Sequence, residues 1–474
     1  MGKFSKYLKS KKKIINLLIE KLSAKYQYAS VLGTDVSGIN IMVDNKNTSV
    51  APSSITESGF VVKVYNGITY SEYSTNEIDE NNIDRIISDI EELTMSDIKN
   101  NVVKVPLIEE QEIRQSFCRN PKGKELKTNE IIDSLSKIVN EAITVENVVY
   151  ARASIENVEI SKMFMSNRKD LEQYYTWSNP RCYVMARRDS NTKYAYEGFG
   201  SNNIEKNLIK HKSVMAKTAK LAVELLDSTT PVPGIYDVIT DPSITGLIAH
   251  EAFGHGVEMD MFVKDRAQAK EYVGKQVASP LVNMRDGANA TYCVASYFFD
   301  DDGVLASDTK IIENGILRNG ISDVLSALEL GTIPTGNGRR ESYKRKAYTR
   351  MTNTFFERGT SSLNDMIKSI KYGYLISTTN NGMEDPKNWG IQCTAHYGRE
   401  IVNGKFTGKI ISPVVMSGYV LDLLNSISAV SKDFEVDGSG SCGKGYKEWV
   451  RVSDGGPYLK AKVKIGWLKK LLGV

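Results

Sequence analysis

Between positions 241 and 258 the chain reads Asp-Pro-Ser-Ile-Thr-Gly-Leu-Ile-Ala-His-Glu-Ala-Phe-Gly-His-Gly-Val-Glu, and few folds can accommodate it. Asp241 is a good N-cap and Pro242 suits the first helical position, where a missing N–H costs nothing, so a helix is expected to start here. Ile244, Leu247, Ile248, Ala252 and Phe253 give that helix a mostly apolar surface, which requires burial. It also carries His250, Glu251 and His255, three groups that are costly to desolvate without partners. The fold must therefore build a core around this helix and satisfy two imidazoles and a carboxylate inside it.

Imidazole is the commonest metal ligand, and a carboxylate beside a metal-bound water can take its proton, so the cluster reads as a zinc hydrolase core. It also suits two satisfied core histidines with an ion-paired glutamate. Zinc peptidases usually show H-E-x-x-H, with the imidazoles one turn apart. Here the interval is five residues, which a regular α-helix would aim ~140° apart. Convergence on one ion requires a turn widened to i→i+5, or unwinding at Gly254 and Gly256.

The 474 residues predict two to four domains. Lys and Arg number 61 against 57 Asp and Glu, a net charge of +4 spread along the chain, so nucleic acid is not an implied partner. No run of eighteen apolar residues occurs and the N-terminus lacks a signal peptide's apolar region, so no membrane partner and a cytoplasmic location are expected. Five cysteines (Cys118, Cys182, Cys293, Cys393 and Cys442) without a CxxC pair argue against a disulfide framework.

In chain order, residues 3–25 predict a Lys-rich amphipathic helix whose charges face solvent. Strands are expected at 28–32, 38–43 and 59–65, with Asn66-Gly67 as a hairpin turn. The spacing of Ile83, Ile86, Ile87, Ile90 and Leu93 predicts a helix, closing an α+β domain over 1–112. Helices around 129–143 and 203–226 and strands near 148–151 and 181–186 make a middle α+β domain over 113–230, in which His211 is expected to be a satisfied, non-ligating histidine. The Pro- and Gly-rich stretch 228–234 reads as a linker. Beyond it, 231–474 predicts a large antiparallel β-rich domain carrying the metal helix, with turns at Asp301-Asp302-Gly303, Asn314-Gly315 and Asn403-Gly404. The overall class is α+β. The end, 464–472, reads as a short cationic amphipathic tail docked on the body or on a partner subunit.

One glycine-dense segment, 436–445, contains Cys442. Such a loop lets backbone approach a ligand, and a thiolate would complete a His₂Cys set with a fourth position open to water, the arrangement of a catalytic zinc. Taken alone, the same cysteine suits an inert thiol.

With those residues in view, the chain resembles the TldD/PmbA peptidases, also called modulators of DNA gyrase. His250-Glu251-Ala252-Phe253-Gly254-His255-Gly256-Val257-Glu258-Met259-Asp260 is similar to that family's H-E-x-x-x-H-G-x-E-x-D block. Gly336-Asn337-Gly338-Arg339-Arg340-Glu341-Ser342-Tyr343 resembles its G-N-x-R-R-E-S-Y block, and Arg350-Met351-Thr352-Asn353-Thr354 and Cys442-Gly443-Lys444 follow in the same order. The resemblance implies zinc held by His250, His255 and Cys442, with Glu251 as general base, as in the TldD-type subunit. It implies cleavage of unfolded peptides, laid down as an added strand, inside a homodimer or a heterodimer with a TldE/PmbA-type subunit whose sites face an enclosed cavity. Tyr348-Thr349 stands where the family commonly has a proline, and Gly445-Tyr446-Lys447 replaces an acidic-Gly-Gln run. Arg339, Arg340, Tyr343 and His396 are the candidates for binding substrate or the oxyanion. Arg339 and Arg340 are adjacent, so on a strand they point to opposite faces. The alternative reading is a non-catalytic binding protein acting on a topoisomerase-related partner.

Overall fold

The computed structural model describes residues 3–100, 104–446 and 448–466; most of the amphipathic tail expected at 464–472 lies outside the described residues. The N-terminal part runs α1 (Lys6–Ser23), β1 (Ala29–Asp44), β2 (Thr48–Pro52), β3 (Glu57–Tyr65), β4 (Tyr70–Thr75), α2 (Ile83–Asn100), β5 (Ile113–Arg119), α3 (Thr128–Ile143), β6 (Val148–Ser166), β7 (Lys169–Arg188), β8 (Asn191–Gly198) and α4 (Ile204–Glu224). Its strands form one sheet in the order β4-β3-β1-β6-β7-β5, with β2 on β1 and β8 on β7.

The expected division between 1–112 and 113–230 runs through this sheet. β1 and β6 pair antiparallel from Ser30 opposite Ser166 to Asp44 opposite Arg152, so the two segments form one unit. The two strands expected at 28–32 and 38–43 are likewise one, because Gly33 and Gly38 lie inside continuous β1; Gly33 is where Leu8 packs, and a Cβ there would sit 3.0 Å from its side chain.

Side chains alternate across the sheet. Val31, Met163 and Met165 pack under α1 and α2, and Ile41, Ala151 and Ala153 under α3 and α4. Leu32 and Phe164, on the other face, pack against Phe299 and Tyr343 of the C-terminal part. Both faces are therefore covered over these stretches. His211, on α4, is buried, and its Nε2 lies 3.1 Å from the Arg181 carbonyl.

After the linker, β9 (Gly234–Thr240) enters the second sheet of eleven strands. Five of them close a ring: β9 pairs Ser453–Ile465 and Tyr372–Asp385, the latter pairs Gly390–Val402, that strand pairs Val414–Tyr419, and Met416 opposite Ile465 completes the circuit. Asn314-Gly315 and Asn403-Gly404 make the two-residue turns their sequences predict, with all four residues at positive φ (49°, 80°, 49° and 73°). Helix α5 (Pro242–Ile248) follows β9 directly, and its Ile244, Leu247 and Ile248 belong to the central core of this part. The architecture is α+β, with a large, mostly antiparallel C-terminal sheet around the metal-helix segment. No helix among the described residues is long and apolar enough to cross a membrane.

Candidate metal centre

The Asp241 carboxylate caps α5 by accepting from the Ile244 N–H at 2.9 Å, with Pro242 in the first turn. The coil then changes pitch: Ala249–Gly254 form a π-helical turn and His255–Val257 a 3₁₀ turn. The widened turn brings the two imidazoles together across their five-residue interval, with ring centroids 5.0 Å apart and planes at 89°. Gly254 contributes by close approach, with ordinary helical φ: a Cβ there would lie 2.2 Å from the Met351 sulfur.

Cys442 arrives on a separate hairpin, Ser441–Lys444 paired with Glu448–Arg451. The fully buried Arg350 pins that hairpin by donating to the carbonyls of Cys442 (2.6 Å) and Glu448 (3.1 Å). Cys442 Sγ stands 3.4 Å from His255 Nε2, and one ligand atom from each of His250, His255 and Cys442 lies within 4.8 Å of the others. Two imidazoles and a thiolate are a zinc donor set, and ~2.0–2.3 Å bonds at tetrahedral angles place such donors about 3.5 Å apart, so the residues present fit that ion.

Each imidazole has a carboxylate on its outer nitrogen. His255 Nδ1 lies 3.2 Å from Glu258 Oε2, and His250 Nδ1, which is sealed and has no hydrogen-bond partner, lies 4.0 Å from Asp454 Oδ2. Carboxylates in that place fix which nitrogen faces a metal. Lys444 Nζ then bridges Glu258 (3.0 Å), Asp260 (2.7 Å) and the Thr349 carbonyl (3.0 Å). Since Lys444 is two residues past Cys442, the hairpin that brings the sulfur is tied to the segment that brings the imidazoles. Burial alone would lower both histidines, but the Cys442 sulfur, joined at His255 by Glu258, outweighs it and raises both. Burial would raise the Cys442 thiol, yet the two imidazoles hold it well below its ordinary value, so the thiolate is favoured.

These groups line a cavity of about 1250 Å³ together with Glu251 and Gly382. Glu251 has room because position 382 carries no side chain: a Cβ there would lie 2.4 Å from the Glu251 Cγ. Gly382 lies on Tyr372–Asp385 next to a β-bulge between Thr379 and Asn381, a device common beside active sites. Glu384, on the same strand, has both carboxylate oxygens sealed and unpaired; burial, with Glu251 and Glu258 nearby, pushes it well above the usual carboxylate range despite His255.

The structure brings none of the four oxyanion candidates to this cavity. Arg339 donates at 2.6 Å to the carbonyls of Met351 and Arg451, and Arg340 is buried against Glu72 at 2.5 and 2.9 Å. Tyr343 packs over Gly59. His396 sits between Tyr194 and Tyr196, with Nε2 2.7 Å from the Tyr194 carbonyl, and burial lowers its pKa. The guanidinium groups of Arg339 and Arg340 and the Nε2 of His396 are thus committed to structural partners. The functional neighbours that sequence reasoning missed are Asp454, Lys444, Gly382 and the outward role of Glu258. Only Glu258, three residues after His255, and Lys444, two after Cys442, carried a local signal in their spacing.

Residues 233–466 match the profile described as the PmbA/TldA metallopeptidase C-terminal domain. A metalloprotease of Methanocaldococcus jannaschii is 31% identical over 333 residues, covering 70% of this chain and 72% of that protein. The chain belongs to the TldD/PmbA family. A zinc metalloprotease TldD homolog of Saccharolobus solfataricus is similar over nearly the full length, 28% identical across 457 residues that cover 94% of this chain and 98% of that one. TldE from Thermococcus kodakarensis shares the fold of this TldD/PmbA protein, with a TM-score of 0.74, 17% identity, and coverage of 96% of this chain and 100% of that chain. The names of its TldD/PmbA relatives support a metallopeptidase.

Proposed function

We propose that this TldD/PmbA protein is a zinc-dependent peptidase of the TldD type that hydrolyses unfolded peptides or small unstructured proteins. In this reading His250, His255 and Cys442 hold the ion and Glu251 is the general base. The observation that carries it is the meeting of three donors, from a π turn and from a hairpin 187 residues beyond His255, beside a carboxylate in one large cavity.

Zinc, when bound, lowers the pKa of water from about 15.7 toward about 7 and polarises a carbonyl. The chain's own residues do the rest. Glu251 takes the proton of the attacking water and returns it to the leaving amine. Glu258, held by Lys444, keeps His255 Nδ1 occupied so that Nε2 faces inward, and Asp454 places a carboxylate 4.0 Å from His250 Nδ1 without hydrogen-bonding it. The substrate lies as an added strand, so backbone hydrogen bonds supply affinity with broad sequence tolerance. The active form is a dimer, with itself or with a TldE/PmbA-type subunit, whose sites face an enclosed space.

The test is cleavage of an unstructured polypeptide by wild type and by E251Q, with zinc content measured in both. Wild type cleaves and is stopped by chelator, while E251Q keeps zinc and loses cleavage. Undiminished cleavage by zinc-loaded E251Q would remove the base, and a biological effect that survives in E251Q would favour the binding role instead.

A further inference from the structure

A second cavity lies between the N-terminal sheet and the C-terminal part, outside the metal centre. It has a volume of about 110 Å³ and is lined by Ile160, Tyr175 and Trp177 from the sheet and by Val294, Tyr297 and Trp449 from across the cleft. At ~30 Å³ per water this is the room of one side chain. Trp449 also lines the metal cavity, so one indole is a wall of both.

Trp449 belongs to the hairpin that carries Cys442. In its register Cys442 pairs with Val450 and Gly443 with Trp449, so the sulfur is buried on one face and the indole, 53% exposed, lies on the other. The Trp449 backbone N–H donates to Glu341 Oε1 at 2.9 Å, and the indole lies over Gly443, where a Cβ would come within 3.3 Å of the ring. A half-exposed tryptophan on the wall of a large cavity is the profile of a binding hot spot.

Among the described residues the cleft offers no free cation. Lys162 pairs with Asp301, Arg340 with Glu72 and Arg451 with Glu156, and Arg339 is committed to two carbonyls. The rest of the lining mixes the aromatic and aliphatic surface named above with polar groups of Glu57, Gln173, Asp300, Glu341 and Ser342, and Trp449 supplies the apolar wall nearest the metal cavity. We infer that this cleft is a subsite for one large apolar or aromatic side chain of the peptide, seated against Trp449 when the backbone crosses the Cys442 hairpin. This rests on the peptidase reading and names the side-chain class that the site prefers.

The test measures calorimetric binding of two blocked tripeptides, acetyl-Gly-Phe-Gly-amide and acetyl-Gly-Ser-Gly-amide, to the full-length zinc-loaded E251Q chain. The same titrations are run with W449A and, separately, I160W added; I160W fills the cleft from the sheet side, and thermal midpoints control for folding. The Phe peptide binds about tenfold or more tighter than the Ser peptide, and either added substitution brings the ratio to within about twofold. Equal binding of the two peptides, or a ratio that survives both substitutions, overturns the inference. A Phe preference that is lost in W449A while wild type cleaves no peptide leaves the subsite standing and sinks the peptidase reading.

Discussion

Gly382→Ala separates the proposed base from the metal ligands. A Cβ at 382 would lie 2.4 Å from Glu251 Cγ, 3.0 Å from its Cδ and 2.9 Å from Leu247 Cδ1, where ordinary contact begins at 3.4 Å. Position 382 is in a strand with ordinary φ, so the new methyl does not refold its own backbone, and Glu251 has to retreat by about 1 Å. A misplacement of that size costs on the order of 100-fold in rate, or about 2.7 kcal/mol of transition-state stabilisation. The three atoms nearest the added methyl belong to Glu251 and Leu247, and none is a ligand. In steady-state assays on an unstructured polypeptide, kcat falls about 100-fold while zinc stoichiometry stays at the wild-type value. Full activity in G382A, or loss of zinc in step with activity, would refute the placement of Glu251 as base.

Lys444→Met removes the cation shared by Glu258 and Asp260, but His255 stays 3.2 Å from Glu258 and Lys264 3.5 Å from Asp260, so the loss falls near the lower end of the range for a broken buried pair, about 3 kcal/mol, read as a lowered urea midpoint; a loss under about 1 kcal/mol would show that Lys444 does not lock the hairpin. Arg340→Met cuts the pair to Glu72 that ties the two parts together, but Lys63 stays 3.2 Å from Glu72, so the loss falls near the lower end, about 3 kcal/mol. Activity per folded R340M molecule remains near wild type, and a catalytic defect in the stably folded variant would return Arg340 to the site. Burial pushes Asp437 up to about 7, and burial followed by the Asp437 charge pushes Glu197 up to about 8. The folded state then holds protons that the unfolded chain has already released, so these groups lower stability as pH rises from about 4.5 through about 8. Denaturant titrations at intervals across that range show a shallower decline in the double variant E197Q/D437N than in wild type; an equal slope would mean that neither group titrates as described.

Much of the centre was legible because its constraints are local. The cap at Asp241, the apolar surface of the helix and the five-residue interval required either a widened turn or unwinding, and the chain uses a π turn followed by a 3₁₀ turn. Cys442 stood out as the one cysteine in a glycine-dense segment. The Asn-Gly turns followed from the φ that type I′ geometry demands. What sequence could not reveal depends on partners far along the chain. Arg340 finds Glu72 across 268 residues, Trp449 stands on the hairpin of Cys442 yet borders a cleft walled by the N-terminal sheet, and Asp454 nears His250 on the strand Ser453–Ile465, which pairs with β9. The adjacency of Arg339 and Arg340 rightly sent them in different directions, but neither direction leads to the metal cavity. The separation expected at 112 failed because β1 and β6 each look like the start of a new unit, and only their register joins them.

The central claim is that one sulfur and two imidazole nitrogens meet at a single ion. X-ray absorption at the zinc edge of the full-length, zinc-loaded protein tests it directly. The account predicts one zinc per chain with one sulfur neighbour at about 2.3 Å and two nitrogen neighbours at about 2.0–2.1 Å, and loss of the sulfur shell in C442S. A shell of nitrogen and oxygen alone in wild type, or a sulfur shell that persists in C442S, would contradict it.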